Sequence, residues 1–209
     1  MAASTTDAPG RAADTRERIL EAACDLIAEA GIDEVRIARV ATSAGASSAL
    51  VHHYFSTREE LLEQALIHSF DAAGDERFGD KPEAALSATD RLASAIRECL
   101  PEPGRQEREW VLGVELWLRA VRDPALKPVA ASLYERYRDW MAAVIRAGVK
   151  SGEFDRVDPQ RVADHAMALL DGAGLRALLR DPAMDLEHAR SLVAERLAAQ
   201  LGVDPSALR

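Results

Sequence analysis

Cysteine, aromatic residues, positive charge and long apolar runs are all scarce in this 209-residue sequence, and each shortage removes a class of protein. The two cysteines, Cys24 and Cys99, stand far apart and follow no metal-site or disulfide-framework spacing, so they read as reduced thiols in helices. No apolar run approaches the roughly 18 to 20 residues that cross a bilayer, and the N-terminus lacks the apolar core of a signal peptide. These two observations predict a cytoplasmic location and no membrane partner. A net charge of -9, from 35 acidic against 26 basic residues, argues against a general phosphate binder. A local nucleic-acid face is still compatible with it. Catalytic signatures are missing too: there is no HExxH and no nucleophile elbow, and the histidines are scattered apart from His52-His53. The sequence therefore predicts no catalytic residue, no metal ligand and no cofactor.

What remains is 48% hydrophobic, rich in alanine and leucine, with 5% aromatics and 29% charged residues. That composition predicts an all-α protein of one or two domains. No proline occurs between Arg11 and Lys81. Beyond that point Pro82, Pro101, Pro103, Pro124, Pro159, Pro182 and Pro205 fall between helical stretches.

One window departs from the acidic character of the chain. Arg36 to Arg58 holds three arginines, two adjacent histidines, one tyrosine, four serines and two threonines, and no carboxylate. Its punctuation is that of two short helices: Ile37, Val40, Ala41 and Ala44, then Gly45 for a turn, then Ser47 as a cap and a segment ending at Phe55. This is the layout of a helix-turn-helix, whose second helix enters the major groove of DNA. Val51 and Phe55 are predicted to point inward, leaving Ser48, Ala49 and His52 toward bases and Leu50, His53 and Tyr54 flanking them.

The flanking segments support this frame. Residues 1–13 read as a mobile tail, in which Arg11 is a candidate minor-groove contact. Asp14 with Glu17 three positions on reads as a capping box, and Ile19, Ala22, Ala23, Leu26, Ile27 and Ala30 form the buried stripe of a first helix ended by Gly31. Thr57 and Glu60 form a second capping box. Arg58 places a cation at a helix start, where the helix dipole disfavours it, which predicts a compensating partner such as a phosphate.

These residues resemble the DNA-binding domain of TetR-family transcriptional regulators. The resemblance rests on TRERILEAACDLIAEAG at Thr15 to Gly31, Ala44-Gly45, Ser47, Tyr54-Phe55 and Arg58-Glu59-Glu60-Leu61. Arg36 stands where the family commonly has Ser or Thr, and His52 replaces its usual tyrosine. ELWLRAVRDPALKPV, SGEFDRVDP and ALLDGAGLRALL further resemble the ligand-binding and dimerisation domain of the betaine-inhibitor-like branch. The resemblance implies about nine helices: a helix-turn-helix domain over 14–57, a linking fourth helix over 58–74, and a ligand-binding and dimerisation bundle over 75–209. It also implies a homodimer on a double-stranded palindromic operator, released by a small-molecule effector, most commonly as a repressor. A ligand-binding or interaction module with a non-regulatory helix-turn-helix, or a helical-bundle enzyme, is the competing class.

The predicted later helices run from Glu83 to Leu100, Gln106 to Val121, Ala125 to Ser151, Pro159 to Leu179 and Leu186 to Leu201. The expected DNA-binding residues are Arg36, Ser47, Ser48, Ala49, Leu50, His52, His53, Tyr54 and Arg58. The i, i+4, i+7 stripe Trp110, Val114 and Trp117, with Phe70, Cys99, Tyr134, Tyr137, Met141, His165 and Met167, marks a candidate effector cavity, against the alternative of ordinary core packing. Ala166, Leu169, Leu170, Ala173, Leu192, Val193 and Leu197 are candidates for a dimerising four-helix bundle, against the alternative that they bury the monomer core. The Asp171-Gly172-Ala173-Gly174 run, with no strand before it, reads as a close helix approach and not a phosphate loop.

Overall fold

The structure is a computed structural model that describes residues 8–78 and 86–209. Among the described residues it is all-α, with nine helices and two 3-10 turns. It divides into two compact units, one of residues 1–73 with 111–119 and one of residues 74–110 with 120–209.

In the first unit, helix α1 spans Ala8–Ala30. It begins earlier than the Asp14 capping box predicts, with Pro9 in its first turn, where a missing N–H costs no helical bond. Asp14 is thus an exposed residue inside the helix. The side chain of Arg11 lies outside the described residues. One face of α1 is buried, with Ile19, Ala23, Cys24 and Ile27 fully covered. After Gly31, at φ 81, a 3-10 turn over Ile32–Glu34 leads to helix α2, Ile37–Ser43. Helix α3, Ser48–Tyr54, follows, and then helix α4, Arg58–Phe78, which runs past the Gly74 end expected for it.

Three side chains of α1 reach α3 and α4. Arg16 donates to Gln64 Oε1 at 3.1 Å and its guanidinium lies 5.5 Å from the centre of the Phe55 ring. Cys24 Sγ donates to the carbonyl of Ala65 at 3.1 Å. His68 Nε2 stands 3.6 Å from a Glu21 carboxylate oxygen. Below them the core of Leu20, Val40, Val51, Phe55, Leu61, Leu62 and Leu66 is covered from water, which is the main favourable term holding the three-helix domain together. The middle of helix α6, Arg105–Arg122, joins this unit, where Phe70 and Trp117 flank Gly113.

In the second unit, helix α5 spans Ala88–Glu98, capped by Ser87 accepting from the Asp90 N–H at 3.0 Å. Its start is later than the predicted Glu83, a position that lies outside the described residues. Helix α6 covers Arg105–Arg122, α7 Lys127–Ser151, α8 Pro159–Leu178 and α9 Leu186–Leu201. Pro128 sits in the first turn of α7 and Pro159 opens α8 behind the Asp158 cap, so neither removes a helical hydrogen bond. A closing 3-10 turn, Pro205–Leu208, packs Leu208 into the core.

The core of this unit draws Leu92, Ile96, Met141, Ile145, Ala166, Leu170, Val193 and Leu197 from α5, α7, α8 and α9. Glu153, between α7 and α8, caps α5: its carboxylate accepts from the N–H groups of Ala88 and Thr89 at 3.1 and 3.0 Å. Those N–H groups, with the hydroxyls of Ser151 and Thr89, hold its carboxyl below the ordinary glutamate range.

Candidate nucleic-acid interface and effector groove

The helix-turn-helix forms at the positions its sequence marks. Gly45 turns the chain at φ 63, a conformation that costs glycine little, and the Ala46 N–H closes back on the Ala41 carbonyl at 2.8 Å. The Ser47 hydroxyl accepts from the Leu50 N–H at 3.1 Å and so starts α3. Val51 then faces inward, fully buried, with Phe55 closing the end of α3 at 1% exposure. The opposite face carries Ser48, Ala49, His52 and His53 exposed, with Leu50 and Tyr54 half-buried beside them. His53 and Tyr54 meet edge to face, their ring centres 5.3 Å apart.

That exposed face carries short side chains at its leading end, so little bulk stands in the way of close approach to the helix backbone. Ser48 offers a hydroxyl donor and acceptor, Ala49 a methyl, and His52 an imidazole with one ring nitrogen of each kind when neutral. Arg36 caps α2 at its N-terminus, exposed, and spends one guanidinium bond on the Asp33 carbonyl at 2.6 Å. Arg39, one turn on along the same helix, is exposed as well. Sequence reasoning passed over it, although the carboxylate-free window contained the signal.

Arg58 has a different occupation from the expected phosphate contact. Its Nε donates to the carbonyl of Val35 at 2.7 Å, and its Nη2 to those of Ile32 and Asp33 at 2.7 and 3.1 Å. Those oxygens belong to the 3-10 turn and its C-cap, where the Ile32 carbonyl also accepts from the Val35 N–H at 3.4 Å and the Asp33 carbonyl from Arg36 at 2.6 Å. The cation at the start of α4 is therefore compensated inside the protein, and the same bonds fasten α4 to the segment that leads into α2. Thr57 caps α4 as predicted, its Oγ1 accepting from the Glu60 N–H at 3.0 Å, while the Glu60 carboxylate accepts from the N–H of Ser56, one residue before the cap, at 2.8 Å.

The residues expected to line one effector cavity fall into several settings. Phe70, Val114 and Trp117 belong to the first unit, partly buried. In the second unit Met141 and Cys99 lie in the core at 0% and 8% exposure, with Tyr137 packed against it, so burial accounts for all three. His165 is exposed on α8, with Nδ1 2.8 Å from Gln200 Oε1 of α9, and lines a separate open groove of about 480 Å³ with Val157, Asp158, Arg161, Val162 and Gln200. Tyr134 and Met167 do share a groove of about 390 Å³ between α7 and α8, with Ala131, Glu135, Arg138 and Asp164. Trp110 lies against Gly174: a Cβ built on that glycine would fall on the indole ring, which makes the glycine-rich run of α8 a close helix approach. The indole N–H is committed to the Cys99 carbonyl at 3.2 Å.

Sequence reasoning missed Asp171, Glu135, Arg138 and Asp164. Asp171 is half-buried on α8 and accepts a hydrogen bond from the Tyr134 hydroxyl. Burial pushes its carboxyl up; burial and then the adjacent Asp171 charge push the Tyr134 phenol up. Among the candidate dimer residues, Ala166, Leu170, Ala173, Val193 and Leu197 are buried in the second unit's own core, and only Leu169 and Leu192 are partly exposed. The alternative of core packing therefore holds for those five.

Comparison with known proteins agrees with this geometry. Residues 19–65 match the family of bacterial regulatory proteins named after TetR, and residues 88–202 match the family described as BetI-type transcriptional repressor, C-terminal. The HTH-type transcriptional regulator BetI of Cronobacter sakazakii is 27% identical over 188 residues, covering 89% of this chain and 90% of its own. A putative transcriptional regulator from Saccharomonospora viridis, solved in complex with choline, superposes with a TM-score of 0.80 at 28% identity, covering 90% of this chain and 98% of the other. The multidrug binding protein EbrR, solved with ethidium, does so with a TM-score of 0.61 at 28% identity, covering 88% and 98%. Its helix-turn-helix and its second unit each carry a family match, so the chain belongs to the TetR family of transcriptional regulators, with a BetI-type C-terminal part, and is a regulator and not an enzyme.

Proposed function

We propose that the chain is a cytoplasmic repressor that binds a palindromic operator as a homodimer and leaves it when a small organic cation occupies the second unit. The observation that supports it best is α3, whose inner side is sealed at Val51 while Ser48, Ala49 and His52 stand exposed on the other. One helix of seven residues reads few base pairs, so specificity calls for a twofold pair of such helices about one DNA turn apart. The expected contacts are Ser48, Ala49 and His52 to bases, and Ser47, Leu50, His53, Tyr54, Arg36 and Arg39 around them.

The second copy docks on the outward faces of α8 and α9. Ala168, Gly172 and Leu175 of α8, with Leu179 at its C-cap, recur at helical spacing, and Leu175 and Leu179 are 38% and 71% exposed, an apolar stripe that water does not favour. Small residues beside leucines let two helix pairs approach closely, as a four-helix bundle requires. The cationic effector is supported by the relatives solved with choline and with ethidium, and by carboxylates in the groove between α7 and α8.

The test is fluorescence anisotropy of the full chain with labelled DNA from upstream of its own gene, in the presence of excess scrambled competitor. Sequence-specific binding at a ratio of about 10³ or more over the scrambled DNA is expected. Equal affinity for the two DNAs would reject the reading.

A further inference from the structure

Asp171 is a half-buried carboxylate whose hydrogen-bond partner is a neutral phenol, that of Tyr134. A phenol donates one hydrogen bond and no charge, so it leaves most of the carboxylate's desolvation uncompensated. A cation would supply what the protein does not. Asp171 shares one face of α8 with Met167, which lines the groove, and with Gly174, on which the Trp110 indole lies. Tyr134 also lines the groove. One helix face thus presents a carboxylate with a tyrosine bonded to it, a tryptophan one turn away and a thioether one turn the other way.

The charge at the rim has the same sign. Glu135 and Asp164 stand against the single cation Arg138, which lies 3.8 Å from Asp164. An anionic ligand would meet two carboxylates at the rim for one guanidinium, and Asp171 behind Tyr134 adds a third. Aromatic faces attract quaternary ammonium groups through their quadrupole, and a nearby carboxylate adds the Coulomb term without requiring a hydrogen bond from the ligand. A volume of about 390 Å³ suits a small ligand.

We propose that Asp171 is the counter-charge, and Tyr134 and Trp110 the aromatic surround, for the ammonium group of a small organic cation entering by the groove between α7 and α8. This deepens the effector reading above and rests on it. Tyr134 orients the carboxylate and presents its ring; Gly174 keeps room for the indole. When the cation binds, Asp171 is stabilised in its ionised form, so binding weakens as the pH falls through the range in which its carboxyl takes up a proton.

The experiment is calorimetric titration of the full chain with choline chloride, tetramethylammonium chloride and the neutral choline isostere 3,3-dimethylbutan-1-ol. Choline and tetramethylammonium are expected to bind, and the isostere to bind about tenfold more weakly or worse. Asp171→Asn should weaken choline by roughly 10- to 100-fold, leave the isostere unchanged and remove the acid-side loss of affinity. Tyr134→Phe keeps the ring and should cost only a few-fold, whereas Tyr134→Leu should cost about tenfold, so the site is tested even if one variant folds poorly. Equal binding of choline and its isostere, unchanged choline affinity in a folded Asp171→Asn protein, or no choline and tetramethylammonium binding to the wild type would each overturn the proposal. Choline binding that depends on Asp171 but leaves operator affinity unchanged would uphold the site and reject the effector reading.

Discussion

The two units put similar apolar helices to different uses, and they differ in how directly the sequence exposes that use. In the first unit the proposed functional face is the polar side of a short helix, and its position follows once Val51 and Phe55 are recognised as buried. In the second unit α8 carries small and apolar residues both on its core side and on part of its exposed side, so periodicity does not separate core from partner surface. Ala166, Leu170 and Ala173 look no different in sequence from Ala168, Gly172 and Leu175. The structure buries the first three and exposes the others. A polar site on a buried scaffold is thus easier to read than an apolar site beside an apolar core.

The comparison breaks most sharply at the scaffold of the first unit. Phe55→Ala removes a ring that is 1% exposed and lies under the Arg16 guanidinium, and is expected to destabilise that unit by about 3 to 5 kcal/mol. Thermal melting followed by circular dichroism, with DNA binding measured alongside, checks it; a melt unchanged from wild type would mean that Phe55 is not a core residue.

On the exposed side, His52→Ala is expected to cost roughly 1 to 3 kcal/mol of operator binding and to relax preference at one base pair per half-site. A loss spread evenly over all sequences would instead assign His52 to phosphate. For the outward face of the second unit, Leu179→Lys places a charge in the proposed dimer stripe. Light scattering at micromolar concentration should then show a monomer where the wild type shows a dimer. A dimer in both would move the interface elsewhere.

Arg58→Ala sharpens the contrast between positioning and contact. Losing three bonds to Val35, Ile32 and Asp33 should loosen the segment leading into α2 and lower operator affinity by about tenfold, alike for all base substitutions. The salt dependence of binding should stay as it is; a slope reduced by about one per site would restore a phosphate contact. The smallest effect belongs to Glu153. Its folded carboxyl lies below its unfolded value, so the stability it adds is present above the unfolded value and is lost as pH falls through the depressed folded one. Melting temperature against pH should therefore decline less on the acid side in Glu153→Gln than in the wild type.

Much of the first unit was legible because its signals are local. Ser47, Gly45 and the Thr57-Glu60 pair act within one or two turns of chain, and each does what its residue type requires. The Asp14 box failed because a helix can start earlier when nothing stops it, and Pro9 in the first turn does not. Arg58 was rightly marked as needing a partner. The partner was missed because the 3-10 turn at Ile32–Glu34, which supplies the carbonyls, carries no helical periodicity to reveal it. In the second unit the significant facts are non-local. Asp171 read as part of a glycine-rich run, and only the packing of α7 against α8 makes it a half-buried acid bonded to Tyr134.

In the proposed function, paired copies of α3 read an operator through Ser48, Ala49 and His52. Hydroxyl-radical footprinting of the full chain on DNA from upstream of its gene tests it most directly. Two protected patches related by a twofold axis, about one helical turn or a multiple of it apart, are predicted, and a Ser48→Ala, His52→Ala double variant should lose them at the same protein concentration. Protection without twofold symmetry, or the same footprint from the double variant, would contradict the account.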